Sequence, residues 1–360
     1  MLRSVNAGIA NQDALTRMHL SENHLGFSPQ VWPGIEREFE RLKFYPDPDC
    51  GALREQIAAV HGVSADMVAV GNGTDELILM AALAFLREGA LAVGSSATFP
   101  GYMMSSSLVN ASFREVPLSN YRVPLDAIVE QCVGAPGVAF LCNPHNPAGT
   151  SVGAAALEGF LGGLGRKGFL AIIDEAYAEF AGEGFASALP AIRAGHRAIV
   201  TRTFSKAYGL AAFRIGYAIG PAELIARMLM AKTSLPFSVN RLAQVAASIA
   251  LTDQAFVRHV VEQTRLAKEL FYSELERLGV FYVPSDTNFV LVSLPDASRV
   301  CSRLQREFGV LTRDTMVFGL PSHARISVGR PDQVKLVSAA LESILATSES
   351  KETRSAQVAR

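Results

Sequence analysis

The sequence predicts an α/β protein with a large unit built on a mostly parallel sheet sandwiched by helices, and a smaller α+β unit after it. Three observations carry this. From about residue 50, short β-rich runs alternate with helix-like segments. Those runs are almost continuously apolar, the pattern of strands buried on both faces. After the long helical stretch that follows Pro236, the character changes to shorter strands mixed with single helices. The chain has 360 residues, 49% of them hydrophobic, ample for one large domain or two unequal ones.

Taken in order, residues 1–35 read as an N-terminal arm and part of the small unit. "GALREQIAAVHG" is an amphipathic helix, and "MVAVGNGTDELILMAALAFL" is a short strand, a glycine turn and a helix. "ALAVGSS", "GVAFLCNP", "FLAIIDEAY", "AIVTRTFS" and "RIGYAIG" are short strands bounded by turn residues. The stretch "NRLAQVAASIALTDQAFVRHVVEQTRLAKELFYSELERLG" is helical throughout. The large unit is placed at 36–255 and the small one at 256–345, with "VFYVPSDTNFVLVSL", "ASRVCSRLQREFG" and "ARISVGRPDQVKLVSAALESIL" as its strands and helices. Residues 346–360 are polar and read as a flexible tail.

Composition narrows the function. A formal net charge of -1 argues against a general electrostatic grip on nucleic acid or an anionic membrane. Cys50, Cys132, Cys142 and Cys301 lack any CxxC pairing and read as buried small hydrophobes of a reducing compartment. The apolar runs are too short to span a bilayer, and the start lacks the apolar core of a signal peptide, so a cytoplasmic protein is expected. No Ser-His-Asp or Cys-His arrangement stands out, and no acid or histidine spacing suggests a metal cage.

Four segments carry candidate chemistry. "VGNGTDEL" sets glycines at a strand-to-helix turn with Thr74 and Asp75 at the helix start, where free N–H groups and the helix dipole suit an anion. The same residues also suit an ordinary capped helix. "LCNPHNPAGT" presents Asn146 after a buried strand, either as a placed amide with a cis Asn146–Pro147 bond or as a plain turn; His145 reads as exposed and without a role. "IIDEAYAEF" ends a buried strand with Asp174 and Glu175, where ligands of open α/β sheets collect. Of the two acids, Glu175 is the better candidate for a merely solvated strand end. "TRTFSKAYGLAAFRIGYAIG" puts Lys206 and Arg214 in an otherwise uncharged run, which alone also fits a snorkelling lysine.

Together these parts fit a pocket for pyridoxal phosphate: a lysine amine for the aldehyde, an acid for the ring nitrogen and an anion site for the phosphate. With "YPDP", "GNGTDE", "NPHNPAGT", "IIDEAYAEF" and "SKAYGLAAFRIGY" in that order, the chain resembles the fold-type-I pyridoxal-phosphate aminotransferases, and most of all the histidinol-phosphate aminotransferases. The resemblance runs from "HLSENHLGFSP" to "ARISVGRPDQ", nearly the whole chain.

The resemblance implies that Lys206 is the covalent anchor of pyridoxal 5′-phosphate, that Asp174 pairs with its ring nitrogen, and that Asn146 and Tyr177 hydrogen-bond its phenolic oxygen. It implies Thr74, Asp75, Thr203, Ser205 and Arg214 around the phosphate. Phe99 stands where the family stacks an aromatic, often Tyr, on the ring. Tyr45 matches the tyrosine that reaches the neighbouring subunit's cofactor, which implies a homodimer with shared sites. Arg325 matches the arginine that grips the substrate's acidic group, with Arg313 assisting and Asn23 of the arm on the substrate side. The implied reaction is ping-pong transamination between an amino donor, best matched by histidinol phosphate, and a keto acid such as 2-oxoglutarate. The arm reads "SENH" where the family commonly has Asn-Glu-Asn-Pro, and "SVGRPDQ" replaces the usual "TVGT" followed by acids. An aromatic or specialised-metabolism amino donor, and a lyase like threonine-phosphate decarboxylase, use similar cofactor residues.

Overall fold

The computed structural model describes residues 15–358. In chain order, β1 (Thr16–Met18) leads to α1 (Val31–Glu36), α2 (Gly51–His61), β2 (Val68–Gly71) and α3 (Gly73–Phe85). Next come β3 (Leu91–Ser95), α4 (Gly101–Leu108), β4 (Ser112–Val116), α5 (Leu125–Gln131), β5 (Val138–Cys142) and α6 (Ala154–Arg166). They are followed by β6 (Leu170–Asp174), α7 (Leu189–Arg193), β7 (Ala198–Thr203), β8 (Gly216–Ile219), α8 (Ala222–Lys232), α9 (Arg241–Thr252) and α10 (Gln254–Arg277). The chain ends with β9 (Tyr282–Val283), β10 (Phe289–Ser293), α11 (Ala297–Phe308), β11 (Val310–Asp314), β12 (His323–Ser327) and α12 (Pro331–Val358).

The large sheet has seven strands in the order β2-β8-β7-β6-β5-β3-β4. It is parallel except for β8, which runs antiparallel to both β7 and β2. Alternate side chains of one strand serve opposite faces. Ala171 and Ile173 join the core with α2, α6 and α9, while Leu170 and Ile172 join the core with α3, α4 and α8. Burial on both faces explains why β3 and β5–β8 are legible as apolar runs. The edge strand β4, "SFREV", is mostly exposed and is not; polar residues on an edge discourage pairing with another chain.

The small sheet has five strands in the order β1-β11-β12-β10-β9, with β1 parallel to β11 and the other pairs antiparallel. Its core gathers Met18, Phe271, Val290, Val292, Leu304, Ile326 and Leu341. The single helical stretch expected after Pro236 is divided at Asp253, whose carboxylate caps α10 by accepting from Phe256 N at 3.1 Å. Helix α10 then crosses between the cores: Val257 and Val260 pack in the large one, Phe271 and Leu275 in the small one. Helix α12 carries the backbone through most of the segment read as a flexible tail; residues 359–360, and 1–14 of the arm, lie outside the described residues. Among the described residues no helix is long and apolar enough to cross a membrane.

Candidate active site

Strands β5, β6 and β7 run parallel and in register, so their carboxyl ends deliver Asn146, Asp174 and Thr203–Lys206 to one edge of the sheet. A cavity of about 640 Å³ lies there. It is lined by Thr74, Asp75, Phe99, Asn146, Asp174, Tyr177, Thr203, Ser205, Lys206, Arg214, Arg313 and Arg325, all expected from sequence, together with Leu20 and Phe318, which were not.

The anion side is built on the β2–α3 turn. Helix α3 starts without a side-chain cap, leaving its first amides to other acceptors. Gly73 has φ +77°, and a Cβ there would lie 2.4 Å from Arg214 Nη2, so only glycine lets the guanidinium lie across the helix start. Arg214 donates to Asp75 at 2.7 Å and to the Ala211 carbonyl at 3.1 Å, with Ser205 Oγ 3.5 Å away. The hydroxyl of Thr203 accepts from Ser205 N at 3.0 Å and sets the turn before Lys206.

Lys206 is half-buried and donates from Nζ to the Leu20 carbonyl at 2.8 Å, above the ring of Tyr177 at 5.6 Å. Burial lowers its pKa to about 7, and the guanidinium groups of Arg325 and Arg214 push the same way. The arm that supplies Leu20 is seated on the Lys206 turn. Gly209 has φ +74°, and a Cβ on it would strike the Gly26 carbonyl at 1.9 Å.

Asp174 is buried and bonded through both oxygens. Tyr102 Oη donates to Oδ2 at 2.7 Å and Thr201 Oγ1 to Oδ1 at 3.2 Å. Burial raises its pKa to about 6, against the pull of those donors. Tyr177 meets Phe289 edge-on at 5.2 Å, and burial holds its phenol at about 12.

Across the cavity, Arg325 is buried on β12. It donates from Nη1 to Asn146 Oδ1 and from Nη2 to the His19 carbonyl at 2.8 Å, with its guanidinium 5.0 Å from the Phe289 ring. The Asn146–Pro147 bond is cis, as is Asn143–Pro144. Arg313 pairs with Arg325 in the β11–β12 register and lies over Phe318 at 5.6 Å; burial lowers its pKa. Burial and the charges of Arg17, Arg313 and Arg325 bring His19 down to about 4, so it adds no charge here near neutrality.

Two expected residues stand apart from the cavity lining. Asn23 uses its amide within the arm, donating to the Ala207 carbonyl at 3.0 Å and accepting from Leu25 N at 2.9 Å. Tyr45 is 77% exposed and stacks on Phe237 at 4.6 Å. Two other expectations are corrected. Glu175 is fully buried rather than solvated, because strand alternation turns it away from Asp174 to meet Arg202 at 2.8 Å and Ala188 N at 2.7 Å. His145 is buried rather than exposed, with Ser95 Oγ at 3.2 Å and Ala148 N at 3.4 Å, and burial takes it down to about 3.

Sequence reasoning missed Tyr102 and Thr201, the two side-chain donors to Asp174. A faint signal exists for each. Tyr102 follows Phe99 at helical spacing, and Thr201 alternates with Thr203 along β7. Among the described residues, no group of three or more His, Cys, Asp or Glu side chains is arranged to hold a metal ion.

The pattern of the family described as aminotransferase class I and II matches residues 16–341. Histidinol-phosphate aminotransferase 2 of Carboxydothermus hydrogenoformans is 36% identical over 328 residues, covering 91% of this chain and 89% of that relative. The histidinol-phosphate aminotransferase of Geobacillus thermodenitrificans is 37% identical over 320 residues, covering 89% of this chain and 87% of that relative. A crystal structure of histidinol-phosphate aminotransferase from Sinorhizobium meliloti in complex with pyridoxal-5′-phosphate superposes with a TM-score of 0.87 at 26% identity, over 95% of this chain and 96% of that one. The fold-type-I architecture expected from the motifs is thus the one found, and the chain belongs to the class I and II aminotransferase family.

Proposed function

We propose that the protein binds pyridoxal 5′-phosphate in this cavity and transfers the amino group of histidinol phosphate to 2-oxoglutarate by a ping-pong route. The observation that carries the reading is the convergence, on one cavity, of an amine lowered to about pH 7, a buried carboxyl and an arginine-backed helix start. The residues present fit the group. The absence of a side chain at Gly73 lets the Arg214 guanidinium lie against the start of α3, and α3 lacks a side-chain cap, as a phosphate subsite requires. Arg214 presents a guanidinium for bidentate bonding there, and Thr74, Ser205 and Thr203 add hydroxyls.

When bound, the cofactor supplies an aldehyde for amines and a protonated ring that withdraws electrons from the bonds around the donor carbon. Asp174 holds the proton on the ring nitrogen by its negative charge, and Asn146 and Tyr177 donate hydrogen bonds to the ring's phenolic oxygen. Phe99 forms the wall on which the ring stacks. Lys206 Nζ would hold the cofactor covalently, at the place where a donor amine would compete for it. Lys206 Nζ would also accept and return the proton at the reacting carbon, a role suited to an amine near neutral pKa. Arg325, assisted by Arg313, orients the anionic group of donor and keto acid in turn. The strap carrying Leu20 covers Lys206 and limits water there.

The relatives named histidinol-phosphate aminotransferase support the donor assignment. A second reading, an aromatic amino acid as donor, is favoured by the apolar part of the cavity wall: Leu20, Leu79, Met104, Leu108, Val317 and Phe318. Tyr45 bears on assembly. It stacks on exposed Phe237, and Phe39, Leu42, Phe44 and Leu235, close to these two in sequence, are exposed as well, apolar surface suited to burial in a two-fold dimer in which Tyr45 reaches the neighbouring site.

A half-reaction screen tests the reading. Protein loaded with pyridoxal phosphate is mixed with histidinol phosphate, phenylalanine, tyrosine or threonine phosphate, without keto acid, and the visible band is followed. Fastest loss of the band with histidinol phosphate is expected. An inert histidinol phosphate beside a reactive aromatic amino acid would replace the first reading by the second, and carbon dioxide release from threonine phosphate would make the protein a lyase.

A further inference from the structure

No role was read for Tyr102 from sequence, yet it bonds Asp174 and packs on Phe99. It sits in the first turn of α4, 1% exposed, three residues after Phe99. Its ring stacks on Phe140 of β5 at 5.0 Å and 10°, and meets the Phe99 ring edge-on at 5.5 Å and 75°. Its hydroxyl gives Asp174 the shorter of its two hydroxyl bonds, 2.7 Å against 3.2 Å from Thr201. Among the described residues, Asp174 has no ion-pair partner.

These facts select one role. A lysine or arginine beside Asp174 would neutralise the charge that a ring nitrogen needs. A neutral hydroxyl stabilises the ionised carboxyl and leaves its net charge available. The stack on Phe140 fixes the phenol's direction, and with it which carboxyl lone pair is used. Burial and the Asp174 charge drive the Tyr102 phenol far above its ordinary pKa, so it remains a donor throughout the working range.

Resting on the cofactor reading above, we propose that Tyr102 is a positioning residue for the transamination. Its hydroxyl fixes the orientation and charge of the carboxylate that holds the ring nitrogen, and its ring edge fixes Phe99, the wall on which that ring stacks. Other titratable groups face Asp174 from each neighbouring element: Cys142 of β5, Tyr177 beyond β6, Asp75 of α3, and across the cavity Lys206, Arg214 and Arg325. None of these donates a hydrogen bond to the carboxyl; the Tyr102 hydroxyl also meets the Cys142 thiol, a neutral neighbour, so its removal takes away one of the carboxyl's two hydroxyl donors and no charge.

The test compares cofactor-free wild type with Tyr102→Phe, each carrying carbon-13 in its aspartate carboxyls, with the Asp174 signal assigned by its loss in Asp174→Asn. Losing a hydrogen bond to a charged group should raise the Asp174 midpoint by about one pH unit. In a second arm, the dissociation constant for pyridoxal phosphate should rise about tenfold for the same reason. Thr201→Val should move the midpoint the same way by less.

A folded Tyr102→Phe protein with an unchanged midpoint would reduce Tyr102 to packing and overturn the proposal. Should Tyr102→Phe fail to fold, 3,5-difluorotyrosine at position 102 keeps the shape and makes a stronger donor. The midpoint should then fall, and a fixed midpoint again overturns the proposal. Failure of the wild type to take up pyridoxal phosphate would remove the cofactor reading, and this proposal with it, whatever the carboxyl titration gives.

Discussion

The ends of β6 and β7 carry two polar clusters back to back, one chemical and one structural. On the cavity side stand Asp174 with Thr201, and Thr203 one alternation further. On the other side stand Glu175 and Arg202, joined at 2.8 Å with Ser187 Oγ also bonded to Glu175 and Glu179 3.9 Å from Arg202. Asp174 and Glu175 are adjacent in sequence and alike in chemistry. Strand alternation gives them opposite fates: one keeps an uncompensated charge beside a cavity, the other spends its charge on an arginine in the core. The lesson is that a carboxylate available for chemistry is one whose partners are neutral.

The sharpest way to break this contrast is to neutralise each acid in turn. Asp174→Asn should lower the half-reaction rate by about 10²–10³, the scale for losing one preorganised electrostatic group, with little change in melting temperature. Glu175→Gln should do the reverse. Leaving buried Arg202 with only its longer contact to Glu179 should cost up to about 3 kcal/mol in denaturant unfolding, the low end for a broken buried pair, while the folded fraction keeps its rate. Replacing both partners, as Glu175→Leu with Arg202→Met, should recover most of that stability. If Glu175→Gln abolishes turnover without destabilising the fold, the division into chemical and structural faces fails.

Two smaller effects sharpen the cavity side. Uptake of pyridoxal phosphate by the cofactor-free protein requires the neutral amine of Lys206, so its rate should rise as pH increases through about 7 and level off above. A rate that climbs only near the ordinary lysine range would mean that Lys206 is not perturbed. The same shift has a stability consequence. The folded pKa of Lys206 is depressed, so its contribution to stability is present at high pH, above 10.5, and is lost as pH falls through about 7. Cofactor-free Lys206→Ala should therefore compare better with wild type at pH 6 than at pH 10, by a few degrees of melting temperature at most. An identical difference at both pH values would contradict the shift.

Much of this was legible in the chain because the site sits at strand ends. Near-continuous apolar runs announce β5, β6 and β7, and the residues delivered to the cavity lie at or just past their ends: Asp174 closes β6, Thr203 closes β7, and Asn146 follows β5 in the next turn. What was not legible needed tertiary proximity. Tyr102 reaches Asp174 from 72 positions away, and Arg325 reaches Asn146 from 179. The partner of Glu175 lies on the next strand, at Arg202, so its burial could not be read from "DEAYAEF" alone. His145 was misjudged for a related reason: flanked by Asn and Pro it looks like a surface turn, but the ring is buried, with Ser95 from the end of β3 at hydrogen-bond distance. The strand β4 and the break at Asp253 were missed because an exposed edge strand and a capped helix junction leave little hydrophobic signal.

The central claim is that Lys206 carries the cofactor at the floor of this cavity. Borohydride reduction of the protein loaded with pyridoxal phosphate, followed by peptide mass mapping, tests it directly. The account predicts one stable pyridoxyl adduct, on the peptide containing Lys206, and none in Lys206→Ala. An adduct on another lysine, or the same adduct surviving in Lys206→Ala, would contradict it.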